Sequence, residues 1–317
     1  MNFLTRIITT IRYPESTFGK TLLRTLPIVL FVLILVIGFS AFAAYRAVVP
    51  NRLAETIDPS NFLLRNFQSL PFETPDRISM EGWFIPSVRG APVIFLCHSY
   101  KSNRSEVLTL ASTFQENGYN LFLFDFRAHG TSAAGLSTLG LKETQDLNAA
   151  IQMITERNDV DQNRVGVWGV TLGAYVALAA AITNEKIKVL VVDSPFESPD
   201  AFLDLQTTSI LGISNSALNA MTRGCFWMIN FSAGPSRDPL LNSLTSLQSC
   251  EKLFITAEET PQLETQSLNL FNHAHDPKEL LRLKRSRTSL LYDVERKNYE
   301  NMVLDFFKKR LPIRTNP

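Results

Sequence analysis

The chain has 317 residues, enough for one large domain with an anchor or for two smaller domains. Its formal net charge of +1, with no long basic stretch, excludes an extended nucleic-acid surface, which needs a clustered positive footprint. Cys97, Cys225 and Cys250 have no metal-ligand spacing, and neither a phosphate-cradling glycine loop nor a His/Cys/Asp cluster is visible. No metal and no cofactor are therefore expected.

In chain order, the first feature is a stretch of 21 uncharged residues, Thr25 to Tyr45, between Arg24 and Arg46. At about 1.5 Å per residue it crosses a hydrocarbon core of about 30 Å. A cleaved signal peptide is the alternative, with Ala41-Phe42-Ala43 as its cleavage site, but the run exceeds the usual apolar core of about 7–15 residues. The N-terminal flank holds Arg6, Arg12, Lys20 and Arg24 against Glu15, whereas Arg46 and Arg52 are followed by Glu55 and Asp58. Positive charge stays inside, so residues 1–24 are expected in the cytoplasm and the bulk of the chain on the far side. Residues 46–71 read as a linker and 72–312 as one domain.

From about residue 72, short β-rich runs alternate with amphipathic stretches, the mark of βαβ units and a mostly parallel sheet. Arg77 to Pro86 reads as an early strand and Pro92 to His98 as a buried one. A helix over Ser105 to Asn117 repeats Val107, Leu110, Ala111 and Phe114 and stops at Gly118. Strands are then expected at Asn120–Phe126, Arg164–Gly169, Lys188–Asp193, Leu253–Ala257 and, weakly, Ser289–Asp293. Between them lie a helix with Leu147, Ile151 and Ile154 on one face and an Ala-rich helix over Val170–Ile182. Glu197 to Ser249 lacks strand periodicity, and Asn298 to Lys309 closes as an amphipathic helix. Cys97 reads as a small buried hydrophobe; a Cys225–Cys250 disulfide is left open, since it depends on the compartment.

Four ordered matches carry a resemblance. His98-Ser99 ends one strand, and Asp125-Phe126-Arg127-Ala128-His129-Gly130 ends the next. Gly169-Val170-Thr171-Leu172-Gly173 joins strand to helix, and Ser194-Pro195-Phe196 follows the strand after it. The series resembles the α/β-hydrolase family, in particular its serine-aminopeptidase-like branch, over about residues 72 to 310. The resemblance implies an α/β fold with a central, mostly parallel sheet flanked by helices, and a short helical cap over about 198–249. It also implies a nucleophile at Thr171, an acid after the Leu253–Ala257 strand and a base after the last one.

The frame and the chemistry part company here. Gly169 and Gly173 supply the close strand–helix approach of a nucleophile elbow, but the nucleophile position is Thr171 where the family has Ser. A β-branched residue at positive φ is unusual, and an internal Thr lacks the free amine that commonly activates threonine nucleophiles. Glu258 is the best match for the acid, with Glu259 beside it. Thr288 falls where the family His belongs, and a Thr hydroxyl is far too weakly basic to serve as general base. The four histidines are His98, His129, His273 and His275. The first two are expected to be structural residues near the pocket floor, with His129 the one surrogate base in reach, and the last two to be solvent-exposed. The oxyanion turn has become Ser99-Tyr100-Lys101-Ser102, so Ser99 or Tyr100 would join Leu172 as N–H donors.

These residues favour a membrane-anchored hydrolase relative that binds an unknown small molecule or protein over one that turns substrate over. An active ester or peptide hydrolase using Thr171 is the second reading. A nucleophile elsewhere, at Ser99 or Ser194, is the third and weakest, because neither sits on a strand-to-helix elbow.

Overall fold

The computed structural model describes residues 17–52, 57–64, 66–132, 135–231, 240–286 and 291–314. Eight strands form one sheet in the order β1-β2-β4-β3-β5-β6-β7-β8. They are β1 (Gln68–Glu73), β2 (Ser79–Ile85), β3 (Ala91–Cys97), β4 (Asn120–Phe124), β5 (Val160–Val170), β6 (Ile187–Asp193), β7 (Glu251–Ala257) and β8 (Lys278–Leu283). The β1–β2 and β2–β4 pairs are antiparallel, and all others are parallel. β3 and β4 are buried along their whole length, as a parallel sheet covered on both faces requires.

The helices, in chain order, are α1 (Thr17–Val48), α2 (Leu108–Glu116), α3 (Leu141–Thr155), α4 (Leu172–Thr183), α5 (Pro199–Leu211), α6 (Ser216–Ile229), α7 (Pro261–His273) and α8 (Asp293–Arg310). Two apolar clusters separate the sheet's faces. On one, α2 and α8 contribute Leu110, Phe114, Val303 and Phe307. On the other, α3 and α4 contribute Leu147, Ile151, Val176 and Leu178, joined by Phe202 of α5 and Phe226 of α6.

Three expectations need correction. β1 begins at Gln68, ahead of residue 72, and pairs with β2 through Leu70↔Gly82 and Phe72↔Met80. The last strand is β8 at Lys278–Leu283, parallel to β7. Residues 287–290 lie outside the described residues, Leu291 and Tyr292 are not in a strand, and Asp293 opens α8. Residues 278–283 carry no buried face to mark them as a strand, because β8 is an edge strand whose residues stay partly exposed. Finally, residues 46–48 are not linker. α1 continues to Val48, and Ser40, Ala43, Ala44, Ala47 and Val48 are all buried, spaced to lie on one helix face. Their small side chains let α1 pack closely against α5 and α6.

The cap region is built by its punctuation. Ser198 caps α5 by accepting from Ala201 N–H, Pro199 occupies its first turn, and Gly212 at φ 69° ends it. Asn215 then caps α6 by accepting from Ala217 and Leu218 N–H. These are the expected devices for starting and stopping helices. All three cysteines are free thiols; Cys97 and Cys250 are buried, and burial pushes the Cys250 thiol up to about 12.

Candidate active site

The elbow between β5 and α4 is fixed by steric exclusion. A Cβ on Gly169 would stand 2.3 Å from the Gly173 carbonyl oxygen, and one on Gly173 would stand 2.3 Å from that of Cys97. No side chain fits either place, so helix and strand meet backbone to backbone. Thr171 sits between them at φ 51°, ψ −100°, a conformation a β-branched residue rarely adopts. Its N–H donates to Asp193 O at 2.9 Å, and its carbonyl accepts from Tyr175 N–H at 3.0 Å. Its Oγ1 is shielded from solvent and has no hydrogen-bond partner.

Thr171 lines a cavity of about 600 Å³ together with Tyr100, Lys101, Phe202, Asp204 and Thr260. Lys101, at φ 64°, reaches across to α5 and donates to Gln206 Oε1 at 3.0 Å. Burial, and secondarily the nearby Arg46 charge, lowers its ammonium pKa. Asp204 Oδ1 lies 3.2 Å from Arg223 Nε, close enough for an ion pair but without hydrogen-bond alignment. Burial raises the Asp204 carboxyl against the pull of Arg223.

None of the chain's four histidines lines this cavity. His98 is locked in the frame: its Nε2 accepts from Phe126 N–H at 3.0 Å, so its Nδ1 carries the proton donated to Ser99 O at 2.8 Å. His129 Nδ1 donates to Arg127 O at 2.8 Å, and its Nε2 is buried without a partner. Burial, reinforced by neighbouring His98, lowers its pKa to about 3. The ring is therefore neutral at physiological pH and belongs to the floor behind Tyr100, whose ring meets it edge-on at 5.6 Å. His273 and His275 are exposed.

The motif that carried the resemblance is a structural knot. The Asp125 carboxylate accepts from Arg104 N–H at 2.7 Å and from Thr131 N–H and Oγ1 at 3.0 Å. Gly130, at φ 47°, would drive a Cβ to 2.3 Å from that carboxyl. Arg127 is buried between Asp76, at 2.9 Å, and Asp146. Asp125, Arg127 and Gly130 thus hold the loop, and none of them lines the cavity.

The other expected positions divide. Glu258 is exposed and lies outside the cavity lining, its N–H donating to Leu283 O at 3.1 Å. Glu259 is exposed as well. Two residues later, Thr260 is both the N-cap of α7, ahead of Pro261, and a cavity residue. Thr288 lies outside the described residues. Of the expected oxyanion donors, Ser99 is committed elsewhere: its N–H donates to Glu106 Oε2 at 2.7 Å and its Oγ donates to the same carboxylate. Tyr100 and Leu172 are the remaining pair, and Leu172, as the first residue of α4, has no intrahelical acceptor for its N–H. Ser194, at φ 52°, is buried and donates to Asp193 Oδ1 at 2.8 Å, with Tyr299 OH on the other carboxylate oxygen at 2.7 Å. No imidazole adjoins it.

Sequence reasoning missed Lys101, Asp204 and the contact between α1 and the site. The Tyr100 hydroxyl donates to Ala47 O at 2.8 Å, and Ser137 N–H donates to Val48 O at 2.8 Å. The signal was present in the Ser40, Ala43, Ala44, Ala47 stripe, which an apolar run conceals.

A family model for the alpha/beta hydrolase fold matches residues 92–214, from β3 through the elbow into the cap. Among solved structures, the Pyrococcus furiosus esterase Pf2001 aligns with a TM-score of 0.67, covering 84% of this chain and 99% of that one at 23% identity, a likeness of fold. The chain has the α/β-hydrolase fold. Its similar curated relatives include an uncharacterized protein of Mycobacterium tuberculosis, 29% identical over 179 residues, which are 55% of this chain and 63% of that protein. The uncharacterized protein YfhR of Escherichia coli is 28% identical over 225 residues, 66% of this chain and 76% of its own length.

Proposed function

We propose that this is a membrane-anchored α/β-hydrolase-fold protein whose cavity binds a ligand, a small molecule or a protein segment, without efficient turnover. One observation carries the reading: the hydroxyl at the nucleophile position has no hydrogen-bond partner, and no imidazole reaches its cavity. A triad needs the nucleophile bonded to a base that is itself oriented, and loss of both costs roughly a million-fold in rate. The anchor is α1, whose segment Lys20–Val48 is long and apolar enough to cross a membrane. Burial of Ala44, Ala47 and Val48 in the domain's core favours a retained helix over a cleaved leader. The flanking charges favour a cytoplasmic N-terminus with the domain outside.

A second reading has one observation in its favour. Lys101 lines the same cavity with its pKa lowered by burial, as a lysine base requires, so Thr171 with Lys101 could hydrolyse an ester or amide.

The test uses the full chain in detergent micelles, because residues 40–48 are part of the core. Wild type, Thr171→Ala and Lys101→Met are assayed on short- and medium-chain p-nitrophenyl esters and amino-acid anilides. Folded wild-type protein with no turnover above background is the expected result. Turnover that both substitutions abolish would replace the binding reading with the Thr–Lys hydrolase.

A further inference from the structure

We propose that the cap is a second membrane contact, with the apolar end of α6 around Met228 and Phe231 seated in the boundary between headgroups and hydrocarbon beside α1. The inference rests on the reading of α1 as a membrane anchor and adds to it where the globular domain sits.

Depth is the first argument. The uncharged run of α1 ends at Tyr45, and its 21 residues, at about 1.5 Å each, only just match a hydrocarbon thickness of about 30 Å. Yet α1 is already buried against the domain from Ser40 onward, and the elements packed on it are α5 and α6. Ser40 lies five residues inside the end of the run, about 7–8 Å along the axis. Whatever touches α1 there shares its depth. Sliding the helix outward is opposed by Arg24, which would be drawn toward the hydrocarbon.

Surface chemistry is the second argument, and it is independent of the first. The twenty residues from Gly212 to Phe231 contain one charged side chain, Arg223, which is paired with Asp204. On this segment Met228 is 80% and Phe231 88% exposed, and Ile213 is also exposed. A shallow groove of about 450 Å³ runs between Ala220, Gly224, Trp227, Met228 and Phe231, with Asp200 and Arg223 also in its lining. By contrast α8, on the opposite face of the sheet, carries nine charged residues among its 18. A helix with large apolar residues outward, almost no charge and an aromatic at its end is suited to lie in an interface plane. Because α5 and the start of α6 also line the Thr171 cavity through Phe202, Gln206 and Asn219, the bilayer would hold the roof of the site in place.

The test places an environment-sensitive fluorophore at single cysteines of the full chain in phosphatidylcholine vesicles, in a Cys225→Ser background, since Cys97 and Cys250 are buried. Labels at Met228→Cys, at Ile34→Cys within the apolar run and at Lys308→Cys on α8 are challenged with lipids bearing a nitroxide near the headgroup end of the chain and, separately, near its methyl end, which reaches the midplane depth of position 34. The expected result is quenching about twofold or more stronger at positions 228 and 34 than at 308. Quenching at 34 with none at 228 would overturn the proposal while leaving the anchor intact, and a blue-shifted but unquenched label at 228 would assign that surface to a second copy instead. An unquenched label at 34 would overturn the anchor, and the proposal with it.

Discussion

The nucleophile elbow and the turn that follows β7 were expected to work together, yet they are held by different forces. At the elbow, Gly169 and Gly173 have backbone carbonyl oxygens 2.3 Å from where a Cβ would be, so the packing of β3, β5 and α4 itself demands glycine. At the turn, Glu258 is exposed and outside the cavity lining, so packing does not dictate its identity. The comparison teaches that packing alone dictates the glycines of the elbow, whatever the chemistry of the site, and places no such demand on an exposed carboxylate.

The sharpest way to break this contrast is Gly173→Ala. A methyl forced against the Cys97 carbonyl has no room to relax, and the expected loss is about 4 kcal/mol or more, read as failure to fold or a collapsed denaturation midpoint of the detergent-solubilised chain. A loss under about 1 kcal/mol would mean that the elbow is not sterically fixed. Next comes the stripe on α1, which belongs with the elbow if tight packing is what dictates its residues. Ala47→Leu overpacks the contact with the cap and should cost about 1–3 kcal/mol, whereas Phe39→Leu, on the exposed face of the same helix, should cost almost nothing.

The pH response of His129 gives a smaller effect. Its pKa falls from the ordinary 6.5 to about 3 in the folded chain, so between those values the unfolded chain binds a proton that the folded chain does not. Stability therefore falls as pH drops from about 6.5 toward 3, by roughly 1.4 kcal/mol per pH unit at most. Chemical denaturation at pH 6.5 and 5.5 should show a slope in wild type that His129→Phe flattens; equal slopes would place the proton elsewhere. The smallest effect belongs to the turn. Glu258→Gln should change stability by less than about 0.5 kcal/mol and leave any esterase signal unmoved, whereas a lost activity would restore Glu258 to the site.

Much of the fold was legible because its signals are local. β3 and β4 are continuous apolar runs, and α4 announces itself by alanines that follow the two elbow glycines. β8 escaped notice because an edge strand needs no apolar face, and Lys278 to Leu283 carries no buried face to mark it. The site was legible in part. Thr171 lines the cavity at the expected position, but Ser99 spends its N–H on Glu106, and Glu258 turns to solvent while Thr260 takes the inward place. A two-residue difference in a turn decides which side chain lines the cavity, and no periodicity marks it.

The sequence by itself determined the sheet's parallel interior, the elbow, the uncharged helix at the N-terminal end and the absence of histidine beyond His275, because each is a property of residues close together in the chain. Only the tertiary structure decided that the end of α1 is part of the domain's core, that Tyr100 hangs its hydroxyl on Ala47 O, and that Lys101 and Asp204 share a cavity with Thr171. Those contacts join segments from 33 residues apart, Thr171 and Asp204, to more than 150, the end of α1 and α5, and the energy that selects them is packing of small residues and burial of polar groups with partners, which no single segment carries alone.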